Sequence, residues 1–207
     1  VELARKSDID VIITDHHQPH AVIPEANAIV CPRQPNDTYP FKELSGVGIA
    51  YKVAQGLLQK YPVEGVNAEN WIDLVAVGTI ADLARLEGEN RVLVRKGLRS
   101  IRFGRRPGLL ALANVSGFNI SEIKAEDIGF RIGPRLNAAG RLGSAEAAFN
   151  ILIAETTEEA GNLALQLDKE NKKRQEITLK IQTQIENRHI SEENDWILFY
   201  WDEKFNE

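Results

Sequence analysis

Cysteine is almost absent from this chain. The single thiol, Cys31, excludes an internal disulfide and fits a reducing compartment. It sits in the run AIVCP, where a free cysteine packs as a small apolar group, so core packing is its expected role. Long apolar runs are missing too. None approaches the roughly 20 residues needed to cross a bilayer, which excludes a membrane-spanning helix. The opening VELARKSD lacks the basic-then-apolar order of a secretory signal. A chain that starts at Val in mid-pattern is expected to be truncated rather than processed. Charge of one sign does not dominate: 25 Lys and Arg stand against 30 Asp and Glu, a net −5 that speaks against a general polyanion binder. What remains, 207 residues with 43% hydrophobic and 27% charged, is an ordinary globular composition. It is long enough for one sizeable domain and part of another.

Local charge departs from that average. The segment RVLVRKGLRSIRFGRR, from Arg91 to Arg106, carries seven basic residues and no acid. Spacings of three and four put Arg91, Arg95, Arg99 and Arg102 on one helical face. Two readings stand at this point, a solvated helix face or a contact with a phosphate backbone.

The densest polar chemistry is Asp15-His16-His17, which ends the apolar run Ile9 to Thr14. A short β-branched run stopping abruptly in Asp-His-His reads as a buried strand whose carboxyl end delivers polar groups to a site, where open α/β sheets place their chemistry. The ligand types point to metal or phosphate chemistry. The other reading is a strand cap that hydrogen-bonds nearby backbone. Successive residues on a strand point in opposite directions, so the two imidazoles share a role only if the backbone turns. One is expected to bind metal while the other faces substrate, with Asp15 orienting a ring.

Elsewhere the pattern predicts a helix tail at Glu2 to Arg5, strands at Asp8 to Thr14 and Ala28 to Cys31, and a proline-rich loop over PRQPNDTYPFKEL. Ser45 is expected to cap a helix through GVGIAYKVAQGLLQKY. Asp82, in Gly78-Thr79-Ile80-Ala81-Asp82, is an acid among small and apolar residues, where a carboxylate needs a partner. It is either an N-cap for the next helix or a hard-oxygen ligand beside the histidines. Glu87 or Glu89 is expected to start the helix with the basic face.

In KAEDIGFRIGPRLNAAGRLGSAEAA, Arg131, Arg135 and Arg141 sit among Gly129, Gly133, Gly140 and Gly143, with Asn137 between them. Glycines let the backbone approach an anion and arginines give it forked contacts. Anion binding is therefore expected, with a structural connector as the other reading. Ser144 is expected to begin a helix. After Thr156 or Thr157 a further helix runs unbroken to about Arg188, with Leu163, Leu167, Ile177, Ile181 and Ile185 on one stripe. Its middle, DKENKKRQE, is charged all round and reads as solvent-bridging between two domains. WILFYW then reads as the first strand of another domain.

These stretches together resemble the DHH phosphoesterase superfamily, and within it the RecJ-type single-strand-specific 5′ exonucleases. Asp15-His16-His17 matches the namesake motif, Gly78 to Asp82 the later metal-binding Asp motif, and Asn137-Ala138-Ala139-Gly140-Arg141 the RecJ-type motif. The resemblance implies an α/β fold: the C-terminal part of a DHH domain with parallel strands and flanking helices over 1–153, a long interdomain helix over 154–190, and the start of the DHH-associated domain over 191–207. It implies His16 and Asp82 as ligands of a divalent metal, Mn²⁺ or Mg²⁺. His17 would touch the scissile phosphate and Asp15 would support the pair, while Arg135, Asn137 and Arg141 would hold DNA phosphates.

The implied reaction is 5′-to-3′ hydrolysis of single-stranded DNA to 5′-mononucleotides by metal-assisted attack of water. The implied setting is a cytoplasmic monomer in DNA repair and recombination, with a single-strand-binding protein and a helicase as partners. The family's upstream Asp-x-Asp cluster lies before the namesake motif, so the chain is expected to be the central piece of a larger enzyme, with little or no nuclease activity alone. A DHH phosphoesterase of short oligonucleotides or small phosphate compounds, and a non-catalytic nucleic-acid-binding DHH module, remain as alternatives.

Overall fold

A short parallel ribbon opens the fold in the computed structural model, which describes residues 1–142 and 145–188. After α1 (Glu2–Lys6), β1 (Ile12–Thr14) pairs with β2 (Ala28–Val30), Ile12 opposite Ala28 and Thr14 opposite Val30. The first strand is shorter than the apolar run suggests. Asp8 takes a left-handed backbone at φ 58°, and Asn27 then holds the turn. Its Oδ1 accepts from Val11 N at 2.8 Å and its Nδ2 donates to Asp10 Oδ1 at 2.6 Å. The strands are not buried as expected, since Ile12 is 69% exposed and only the middle residue of each strand is half-buried. Reading β-branched runs as buried assumes layers on both faces, and this ribbon has two strands among the described residues.

The helices that position the site follow. Ser45 caps α2 (Gly46–Lys60) as expected, its Oγ accepting from Gly48 N at 3.2 Å. α3 (Ile72–Ala81) is apolar apart from Asp73 and Thr79 and buries both with Ile72, Val75, Ala76, Val77 and Ile80, the pattern of a central helix. α4 (Gly88–Arg102) begins after Glu87 and packs on α3, antiparallel to it, since Gly97 late in α4 meets Ile72 at the start of α3. Gly97 permits that approach: a Cβ there would stand 2.4 Å from the Ile72 carbonyl oxygen and from the Ala76 methyl. Leu44, Ile49, Tyr51, Ile72, Val75 and Leu93 form the core between these helices. Cys31 is buried, as core packing requires.

These elements belong to one compact unit, Val1–Arg105 with Asn119–Phe130; the other comprises Arg106–Phe118 and Arg131 onward. In the second unit α5 (Pro107–Val115), α7 (Gly133–Leu142) and α8 (Glu146–Ile153) pack on α9 (Thr157–Arg188). α5 buries Leu109, Ala111, Leu112 and Ala113 in the second unit.

The glycine- and arginine-rich stretch is helical: α6 (Ala125–Asp127) runs into a π turn at Ile128–Ile132 and then into α7. Gly129, Gly133 and Gly140 are absent from the left-handed residues. Pro134 has no N–H to return to the preceding turn, and the widened turn comes just before it.

The middle of α9 is not charged all round. Asp168 and Asn171 are buried on the same side as Ala160, Ala164 and Leu167, because Asp168 finds cationic partners there. The helix starts where expected, capped by Thr156, whose Oγ1 accepts from Glu159 N at 3.2 Å. Ser144 and the WILFYW segment lie outside the described residues. Among the described residues, no helix is long and apolar enough to cross a membrane.

Candidate metal and phosphate site

Asp15 turns the backbone at the end of β1. Its N–H donates to the Val30 carbonyl at 3.1 Å and so prolongs the ribbon by one bond. One carboxylate oxygen, Oδ1, then accepts from His16 N at 2.7 Å, from His17 N at 3.2 Å and from the His17 ring at Nδ1, 2.7 Å. The His17 backbone N–H first, and its ring second, hold the Asp15 carboxyl below the usual carboxylate value despite some burial. An ionised Asp15 keeps the proton of a neutral His17 on Nδ1, which leaves Nε2 facing outward. This is the turn that lets two successive histidines do different work.

His16 goes the other way. Its side chain is 23% exposed and lies 3.7 Å, Nδ1 to Oδ2, from Asp82, whereas the His17 side chain is 75% exposed. The two rings sit 4.2 Å apart at 46°. Gly46 at the start of α2 brings the backbone against His16, so that a Cβ there would stand 3.4 Å from its Cδ2.

Asp82 is neither buried nor an N-cap. It follows the last residue of α3, its N–H donating to the Gly78 carbonyl at 2.9 Å, and its side chain is 43% exposed. The small apolar residues before it belong to a helix that buries every face and ends at Ala81. An acid at a helix C-terminus meets the negative end of the dipole, a place that favours a cation beside it.

Nitrogen and oxygen 3.7 Å apart are too far for a hydrogen bond. They are within the span of two ligands on one ion, each about 2.0–2.2 Å from it. A neutral imidazole and a carboxylate also suit a borderline to hard divalent cation. The residues present therefore fit such a group as a partial shell. Among the described residues, no group of three or more His, Cys, Asp or Glu side chains forms a larger cluster.

Two supports escaped the sequence reading. Buried Ser45 and Thr79 share a hydrogen bond at 2.8 Å that ties the start of α2 to α3. Fully buried Asn90 donates to the Glu43 carbonyl at 2.6 Å and the Arg85 carbonyl at 3.0 Å, which fixes the loop after Asp82. A polar residue at a buried position of an amphipathic helix was the available signal for Asn90. A cavity of about 340 Å³ opens beside the motif, with Asp15, His17, His20 and Gln34 among apolar Ile13 and Ile29.

In the second unit the structure gives Arg135 a different partner from phosphate. Its Nε and Nη2 donate to Asp168 Oδ1 at 3.0 and 2.8 Å and its Nη1 to the Arg131 carbonyl at 2.8 Å, with 14% of the side chain exposed. Burial pushes the Asp168 carboxyl up, but hydrogen bonds from Lys172 and Arg135 outweigh it and the net shift is downward. Asn137 is exposed on α7. Arg141 stands one turn further along; its side chain lies outside the described residues.

Comparison with known proteins gives three kinds of match. Residues 1–79 match the DHH family, N-terminal domain. The single-stranded-DNA-specific exonuclease RecJ of Bacillus subtilis is 46% identical over 180 residues, 87% of this chain and 22% of that protein. Its Escherichia coli counterpart is 40% identical over 187 residues, 86% of this chain and 32% of the relative. Among solved structures, RecJ in complex with Mn²⁺ from Thermus thermophilus superposes with a TM-score of 0.78 at 33% identity, over 92% of this chain and 28% of that one. A structure of exonuclease RecJ bound to manganese gives 0.77 at 35% identity, over 90% and 47%. The chain thus spans between a fifth and a half of these relatives.

Proposed function

We propose that this chain, whose residues 1–79 match the DHH family, N-terminal domain, carries part of the catalytic apparatus of a RecJ-like single-stranded-DNA-specific exonuclease. The observation that carries the reading is the approach of His16 Nδ1 to Asp82 Oδ2, 3.7 Å, across 66 residues of sequence. His16 and Asp82 are the residues that would hold a divalent cation, Mn²⁺ or Mg²⁺. When bound, such an ion polarises a phosphoryl oxygen and lowers the pKa of water.

The protein's own groups do the rest. Asp15 orients His17, whose outward Nε2 contacts the scissile phosphate. Ser45, Thr79 and Asn90 hold the elements that bring Asp82 to His16. On α7, Asn137 and Arg141 contact the phosphates of the DNA strand, and Arg135 acts as a positioning residue through Asp168. In this reading, 1–153 is DHH-domain sequence, 154–190 the connecting helix and 191–207 the beginning of the DHH-associated domain. A cytoplasmic role in repair and recombination, with a helicase and a single-strand-binding protein supplying substrate to a monomer, follows from the same reading.

The test is product analysis with Mn²⁺ on 5′-labelled long single strands and on dinucleotides. With two protein ligands for the ion, the 207-residue chain is expected to show little or no hydrolysis. Inserted in place of the corresponding segment of the Bacillus subtilis relative, it is expected to release 5′-mononucleotides from long strands, and Asp82→Ala to abolish that release. Preference for dinucleotides would favour a small-substrate phosphoesterase. Release unaffected by Asp82→Ala would overturn the reading.

A further inference from the structure

The basic face of α4 has no place in the metal site, and its exposure is unexplained by packing. Leu93, Val94, Gly97 and Ile101 turn inward, whereas Arg91, Arg95 and Arg99 are exposed and have no ion-pair partner among the described residues. Arg102, on the same face, donates to the Ile123 carbonyl at 3.1 Å. The acid at the start of the helix, Glu89, is already bonded to Lys52 at 2.7 Å and to Tyr39 at 2.7 Å. Like charges four residues apart disfavour a helix, so this row lowers the stability of its own element in a chain of net charge −5.

The row ends on an aromatic. Phe103, the residue capping α4, is 71% exposed and lies one turn beyond Arg99 on the same side. Because α3 and α4 are antiparallel, Arg91 sits at the end of the helix pair that carries Asp82, and the row runs about 18 Å away from that end. We propose that the outer face of α4, with Arg91, Arg95, Arg99 and Phe103, is a second contact line for a single nucleic-acid strand, one that leads it away from the candidate metal site. The inference rests on the proposed function. Phosphates follow the arginines, and an unstacked base lies on the Phe103 ring, a combination that grips single strands without regard to sequence. A duplex, whose bases are already stacked, gains nothing from Phe103.

The experiment is fluorescence anisotropy of a labelled oligothymidylate with the full 207-residue chain across a salt series. Replacing Arg91, Arg95 and Arg99 together by Gln is expected to weaken binding roughly tenfold or more at low salt. The slope of log K against log salt should fall by about 2, since each phosphate contact contributes about 0.7. The triple Lys variant keeps most of the slope. Phe103→Ala weakens the single strand about fivefold or more and leaves a blunt duplex unchanged. Circular dichroism checks that each variant is folded. An unchanged slope in the Gln variant, a parent that does not bind the oligonucleotide, or equal affinity for polyglutamate overturns the inference. The metal-site reading is scored separately by Mn²⁺ titration, which the Gln variant should leave within about twofold.

Discussion

At the scale of single residues, the account turns on what one carboxylate oxygen of Asp15 does. By accepting three N–H groups it spends its charge on the local turn and leaves the imidazoles to face elsewhere. Its pKa is lowered by the His17 backbone and ring, so the unfolded carboxyl, near 3.9, binds protons at a pH where the folded one does not. The stabilisation is present above that unfolded value and is lost as pH falls through the lowered folded pKa. Nitrogen NMR of His17 at neutral pH should therefore show the Nδ1-protonated tautomer, and Asp15→Ala should yield a mixture of both tautomers. An unchanged tautomer in the variant would remove Asp15 from its orienting role.

That the triplet and Asp82 belong near one another was legible in their residue types. The setting of Asp82 was not, because small apolar neighbours read as burial whether a helix continues past them or ends there. The ion pair of Arg135 was not legible for a related reason: its buried partner, Asp168, lies 33 residues away, beyond the reach of any local pattern.

At the scale of elements, helix boundaries and caps were readable and helix surroundings were less so. Ser45 and Thr156 mark helix starts by chemistry that acts within one turn. The glycines near Arg135 suggested close approach of backbone to an anion, yet small residues serve equally to let helices approach, as buried Ala138 and Ala139 do in α7. Gly108 is the sharper case. A Cβ there would stand 1.8 Å from the Ile151 carbonyl oxygen, so Gly108→Ala should destabilise the second unit by about 2 kcal/mol or more, read as a lowered midpoint in urea.

The α7 to α9 contact gives a second prediction. Removing the Asp168 carboxylate leaves a largely buried guanidinium without its partner, at a cost of about 3 kcal/mol. In the parent, the stabilisation from Asp168 holds above the unfolded carboxylate value and fades as pH falls through its lowered folded pKa. Denaturation of Asp168→Ala followed from about pH 7 to about pH 2 should show a shallower acid limb than the parent, and an equally steep limb would assign acid sensitivity elsewhere.

At the scale of the whole molecule, the chain weaves between two compact units, crossing at 105/106, 118/119 and 130/131. Composition gave no sign of this, because α5 joins residues about 40 positions away through apolar contacts that any helix offers. The order of the motifs along the chain, by contrast, was fully legible, and the first unit brings its two most separated site residues together. The central claim is that His16 and Asp82 share one divalent cation. Paramagnetic broadening by Mn²⁺ in NMR tests it most directly: the His16 ring and Asp82 signals should broaden together at one concentration, with His20 little affected, and His16→Ala should remove the effect at Asp82. Broadening at only one of the two, or at Asp82 undiminished by His16→Ala, would contradict it.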